Sequence, residues 1–132
     1  MGSPEARCGN FGGLFHNEGD ALVDEQAVGP DLILTTERDG SRAVLTVRGE
    51  LDAYSAPGLE EQIARLLAEQ VNEVVLDLSH TGFLDSSGLR AILTAQRRLS
   101  ESGGGMRLRA PSEPVTRLLE ITGLSDHFVL DS

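Results

Sequence analysis

The segment Leu84-Asp85-Ser86-Ser87-Gly88-Leu89 holds the residues of this chain best placed to do chemistry. A carboxylate, two hydroxyls and a glycine stand just ahead of an apolar pattern of helical period. That is the form of a helix N-terminus, because Asp is a favoured N-cap that accepts from amides lacking a partner inside the helix. Ser86 and Ser87 then fall in the first turn, where a hydroxyl is easily reached. A phosphate attached there would meet free backbone N–H groups and the positive end of the helix dipole. Gly88 takes a side chain out of the same turn and would let the backbone of another protein come close. Taken locally, these residues also make an ordinary capped helix with a polar first turn, so their meaning rests on what surrounds them.

Other chemistries are poorly served. A serine hydrolase needs a glycine two residues before its nucleophile, and Leu84 stands there instead. His80 is close in sequence to Asp85 and Ser86 but reads more simply as a polar residue at a strand end. His16, His80 and His127 are scattered, so no metal site is expected. Gly103-Gly104-Gly105 follows a helix instead of opening one and has no P-loop lysine, so it reads as a helix stop and a turn. No nucleotide or other cofactor is expected.

Composition narrows the field further. The formal net charge is −10 and all 11 cations are Arg, so no lysine mechanism is available and a receiver domain, which needs a late Lys, is excluded. No basic stripe exists to neutralise a phosphate backbone, so nucleic acid is not an expected partner. The single cysteine, Cys8, cannot form an internal disulfide, in keeping with a reducing compartment. No apolar run reaches the length of a membrane span, no signal-peptide pattern opens the chain, and Ala6 stands where a myristoylation motif needs Ser or Thr. A cytoplasmic protein free of the membrane is expected.

With 132 residues the chain has room for one domain with a real core, and with 4% aromatics that core must be aliphatic. Residues 1–30 show no sustained period and are rich in Gly and acids, which predicts a flexible N-terminal extension; Phe11, Leu14 and Phe15 form an apolar cluster within it. The domain is expected over residues 31–132. Leu32–Arg38 reads as a strand, Asp39-Gly40 as a hairpin turn and Ala43–Gly49 as the returning strand. Ser55 is placed to cap a helix that buries Leu59, Ile63, Leu66 and Leu67 and ends around Gln70. Val74–Leu78, nearly all apolar, reads as a central strand covered on both faces. A second helix carries Leu89, Ile92, Leu93, Gln96 and Leu99. Met106–Arg109 is a further strand, Ser112 caps a third helix bearing Val115, Leu118, Leu119 and Ile121, and Phe128–Leu130 forms a last short strand. The expected fold is α/β, a mixed β-sheet opened by a β-hairpin with helices packed against it.

Three motifs in this order carry a resemblance. Gly49-Glu50-Leu51-Asp52 ends the hairpin, Phe83-Leu84-Asp85-Ser86-Ser87-Gly88-Leu89 follows the central strand, and Ile121-Thr122-Gly123-Leu124 closes the third helix. Over about residues 31–130 this resembles the STAS family, which includes bacterial anti-sigma factor antagonists and cytoplasmic domains of sulfate transporters. The resemblance implies that Ser86 is a phosphoacceptor, that Asp52 lies beside it, and that Asp52, Asp85, Ser87, Gly88 and Leu89 form the partner-binding face. It implies partner switching: the unmodified protein binds an anti-sigma factor that is also a serine kinase and so frees a sigma factor. Phosphorylation of Ser86 ends the interaction and a PP2C-type phosphatase restores it, the chain itself being a substrate and not a catalyst. The alternative within the family is a regulatory module of a stress-signalling assembly that acts on no sigma factor. Family members commonly continue into a final helix, whereas this sequence stops at Ser132, so either a face is left open or the N-terminal apolar cluster covers it, and a homodimer is an open expectation.

Overall fold

The computed structural model describes residues 14–16 and 22–131. Eight strands and three helices follow in the order β1 (Leu14–His16), β2 (Leu22–Gly29), β3 (Leu32–Asp39), β4 (Arg42–Leu51), α1 (Ala56–Ala68), β5 (Glu73–Asp77), β6 (Thr81–Leu84), α2 (Ser86–Glu101), β7 (Gly105–Arg109), α3 (Glu113–Thr122) and β8 (Val129–Asp131). They form one mixed sheet in the order β1-β2-β3-β4-β5-β7-β8, with β6 paired to β4 off that path. The first four strands are antiparallel neighbours, while β4, β5, β7 and β8 run parallel. The expected mixed sheet opened by a hairpin is therefore present.

Alternation decides which face is covered. Leu32 and Leu34 on β3 align with Ala43, Leu45 and Val47 on β4, Val74 and Leu76 on β5, and Met106 and Leu108 on β7, all buried in one cluster. The helices bury Leu59, Ile63 and Leu66 (α1), Leu89, Ile92 and Leu99 (α2), and Val115 and Leu119 (α3) in that same cluster. Each fully buried aliphatic side chain contributes about 1.5–3 kcal/mol, so this layer is the main source of cohesion. The opposite residues of the sheet, among them Val44, Thr46, Thr35 and Ile33, are half-buried and belong to no such cluster. Val75 lies on this second side and is itself buried, so the middle of β5 is dry on both faces, as its apolar run predicts.

Several boundaries differ from expectation. The sheet begins before Asp31: Leu22–Gly29 pairs with β3 over its whole length and Leu14–His16 pairs with β2. The strand was hidden because Asp24, Glu25 and Gln26 interrupt its apolar pattern. Residues 1–13, with Phe11 and Cys8, lie outside the described residues. Strand β6 carries no strand signal in the sequence, being four residues long with a glycine inside it. Thr81 fixes it: its buried Oγ1 donates to the Val47 carbonyl at 2.8 Å, and its own carbonyl accepts from Ser112 Oγ at the start of α3. Ile121, expected on the buried stripe of α3, is 74% exposed, leaving Val115 and Leu119 to anchor that helix.

Candidate functional site

The first two motif segments meet at one end of the sheet because β4 divides its partners. Its first half, Arg42–Thr46, pairs with β5, and its last residues, Gly49–Leu51, pair with β6. Leu51 and Leu84 are register partners on adjacent strands, so the residues that follow them, Asp52 and Asp85, leave the sheet side by side, about 5 Å being the usual spacing of paired strands. The Asp85 amide donates to the Leu51 carbonyl at 3.3 Å and ties the two exits together. Gly49 allows the divided pairing. With φ at +114° its missing Cβ would run into the Asp31 carbonyl, while the Glu50 amide donates to that carbonyl at 2.9 Å.

Asp85 is the N-cap expected of it. Its backbone is extended and its Oδ1 accepts from the Gly88 amide at 2.9 Å, while its carbonyl accepts from Leu89 N at 2.9 Å. Ser86 is exposed as the first residue of α2 and Ser87 is half-buried as the second. Among the first-turn amides of α2, that of Gly88 is taken by the cap, and the helix dipole leaves positive potential at the Ser86 end.

Two of the expected partner-facing residues turn inward. Leu89 is a core residue at 6% exposure, and Gly88 is buried with its Cα turned on the chain's own backbone. A Cβ at Gly88 would lie 2.5 Å from the Leu51 carbonyl oxygen and 2.7 Å from Leu84 Cδ1. The glycine is needed for α2 to close onto the ends of β4 and β6, not for another protein's backbone to approach. Sequence proximity to the serines could not tell the two reasons apart.

Asp52 shapes the neighbouring loop. Its Oδ1 accepts from the amides of Tyr54 at 3.0 Å and Ser55 at 3.2 Å, a side-chain turn of the kind Asp favours. Ser55 sits at the N-cap position of α1 as expected, yet its hydroxyl makes no helix cap. Buried, it accepts from the Asp52 amide at 3.0 Å and lies 2.9 Å from the Glu50 carbonyl, with Asp52 Oδ1 at 3.2 Å as the alternative acceptor. It therefore braces the loop from behind. Two aromatic residues beyond those expected flank the site: Tyr54, 86% exposed on the Asp52 loop, and Phe83, 47% exposed on β6. The usable signal was the position of the chain's single Tyr in the short loop between Asp52 and the start of α1.

The hydrolase constellation does not assemble. His80 Nδ1 lies 3.0 Å from the hydroxyl of Ser79, which donates to Asp77 at 2.7 Å, so the imidazole belongs to the loop after β5. Among the described residues no group of three or more His, Cys, Asp or Glu side chains could hold a metal ion. None of the described helices is long and apolar enough to cross a membrane.

The fold and the site together define a small α/β module that presents a serine hydroxyl at the start of a helix, on a platform braced by two strands and a buried Ser. The chain belongs to the STAS domain family, whose model matches residues 33–132. It is 37% identical over 82 residues to the anti-sigma-B factor antagonist of Bacillus subtilis strain 168, covering 62% of this chain and 74% of that one. To the anti-sigma-B factor antagonist of Listeria monocytogenes it is 34% identical over 90 residues, covering 68% and 79%. Among solved structures, an anti-sigma factor antagonist from Mycobacterium paratuberculosis superposes with a TM-score of 0.67 at 29% identity, covering 80% of this chain and 92% of that one.

Proposed function

We propose that this protein is an anti-sigma factor antagonist switched by phosphorylation of Ser86. In its unmodified form it binds an anti-sigma factor with serine kinase activity and thereby frees a sigma factor. The kinase transfers phosphate to Ser86, the complex dissociates, and a PP2C-type phosphatase returns the protein to its binding form. The observation that carries this reading is the exposed Ser86 hydroxyl at the first position of α2, beside the exit of β4 that carries Asp52. The names of its relatives support the sigma-factor side of the reading.

The contact surface consists of Ser86, Ser87, Asp85 and Asp52, flanked by Tyr54 and Phe83. Exposed aromatics beside polar groups are the composition typical of protein-binding patches. A phosphate brings about −1.5 to −2 charges at neutral pH. It would stand near two carboxylates and replace a neutral hydroxyl against which the partner fits. The helix N-terminus offsets part of that repulsion within the free protein, typically by about 0.3–1 kcal/mol, so the fold survives while the surface turns hostile to its partner.

The test is capture from extracts of the source organism with wild type, Ser86→Ala and Ser86→Glu, followed by mass spectrometry after incubation of the captured kinase with ATP. Ser86→Ala should retain the partner and accept no phosphate, and Ser86→Glu should retain little of it. Phosphate found on Ser87, or a Ser86→Glu protein that captures the kinase as well as wild type, would refute the proposal.

A further inference from the structure

The helices cover one side of the sheet, and the residues on the other side form an ordered series. Following the register from strand to strand, one cross-sheet row reads Val23 (β2), Glu37 (β3), Val44 (β4), Val75 (β5), Arg107 (β7) and Val129 (β8). The order is apolar, acidic, apolar, then apolar, basic, apolar. Read from either end it has the same polarity with the sign of its charge inverted. A surface with that property is complementary to itself under a two-fold axis.

We propose that this face, which none of the described helices covers, joins two copies of the chain, sheet against sheet, about a two-fold axis parallel to the strands and midway between β4 and β5. Rotation about that axis lays β4 over the second copy's β5 and β3 over its β7. Val44 then meets the second copy's Val75, Glu37 meets its Arg107, and Val23 meets its Val129. In the next row, Arg42, which pairs with Glu73 of its own chain at 3.5 Å, comes opposite the second copy's Glu73 as well. The sheet twist is accommodated by the usual aligned packing of two sheets at about 30°.

Burial agrees with this arrangement. Glu37 and Arg107 are exposed and Val129 is 59% exposed, whereas Val44 and Val23 are half-buried and Val75 is 7% exposed. The row therefore has an apolar centre, charged flanks and apolar ends. Arg107 also has an interaction within its own chain, and a guanidinium with five N–H donors can serve both. Six strands at about 4.8 Å and three or four side-chain rows offer on the order of 500 Å² of face per copy, enough with side-chain relief to reach the ~1,000 Å² total of a specific interface. Ser86 lies at the ends of β4 and β6 on the helix side, so the dimer carries two switch sites, and this pairing stands or falls independently of the function proposed above.

The experiment is sedimentation of the full chain across a concentration series, with Glu37→Arg, Arg107→Glu, an equimolar mixture of the two, and thermal melts as a check on folding. Wild type should approach twice the monomer mass. Each variant alone places like charges opposite each other and should sediment as a monomer with a near-normal melt. In the mixture both contacts are again between opposite charges, and the dimer mass should return. Wild type that remains monomeric to several hundred micromolar, a dimer that persists in both single variants, or a mixture that stays monomeric would overturn the pairing.

Discussion

Ser86 and Asp85 stand next to each other and do separable work. Ser86 is exposed and bears no described part of the fold, so Ser86→Ala should leave stability within about 0.5 kcal/mol of wild type, as surface substitutions generally do. Asp85 holds the Gly88 amide, and Asp85→Ala should cost about 1 kcal/mol in urea unfolding, the ordinary loss of a cap. Gly88→Ala should cost more, about 1–3 kcal/mol, because its new methyl meets the Leu51 carbonyl and overpacks a closed contact. If Gly88→Ala proved harmless to stability while reducing partner capture, the glycine would after all serve the partner. The cap and the two serines could be read from residue types alone. The inward reason for Gly88 could not, because it depends on the carbonyl of a residue 37 positions away, which only the closed fold supplies.

Elements were legible in proportion to how evenly their surroundings treat them. Helices α1 and α2 have one wet and one dry side, and their period announced them; β5 is short but has an unbroken apolar centre, Val74–Leu76. Strand β2 lies partly under α1, yet its alternate positions carry Asp24 and Gln26, the latter 3.2 Å from the Arg65 guanidinium. Polar residues there satisfy α1's polar flank and erase the apolar signal by which a strand is recognised. A chain beginning at Gly29 would therefore lose the strand that pairs with β3 along its whole length, together with Val28, against which Gly58 of α1 packs closely. Its melting temperature should fall by several degrees or more, and an unchanged melt would show that β2 is dispensable. The brace behind the Asp52 loop allows a second expectation. Ser55→Ala strips the Asp52 amide of its acceptor and should cost about 1–3 kcal/mol, the usual penalty for an orphaned buried group, while loosening the loop that carries Tyr54.

Over the whole molecule, acids outnumber bases by 21 to 11, and one of those acids is held at a disadvantage. Burial pushes the Asp24 carboxyl above its ordinary range, Arg65 pulls it partly back and Glu69 adds to the rise. A carboxyl raised in the folded state prefers to fold protonated, so its contribution to stability is present below its unfolded value and is lost as pH rises through the folded one. Asp24→Asn should therefore melt higher than wild type at pH 7, and the difference should shrink as the pH falls through the carboxylate range. An equal gap at pH 7 and at pH 3 would show that Asp24 acts through packing instead. The divided pairing of β4 reaches beyond the site's shape. The Glu50 amide is bound to the Asp31 carbonyl and the Asp85 amide to that of Leu51, on two strands that end together. In deuterated water these two amides should keep the same clock, each opening only when the strand ends come apart as a unit, and they should stay in step whether or not Ser86 carries a phosphate.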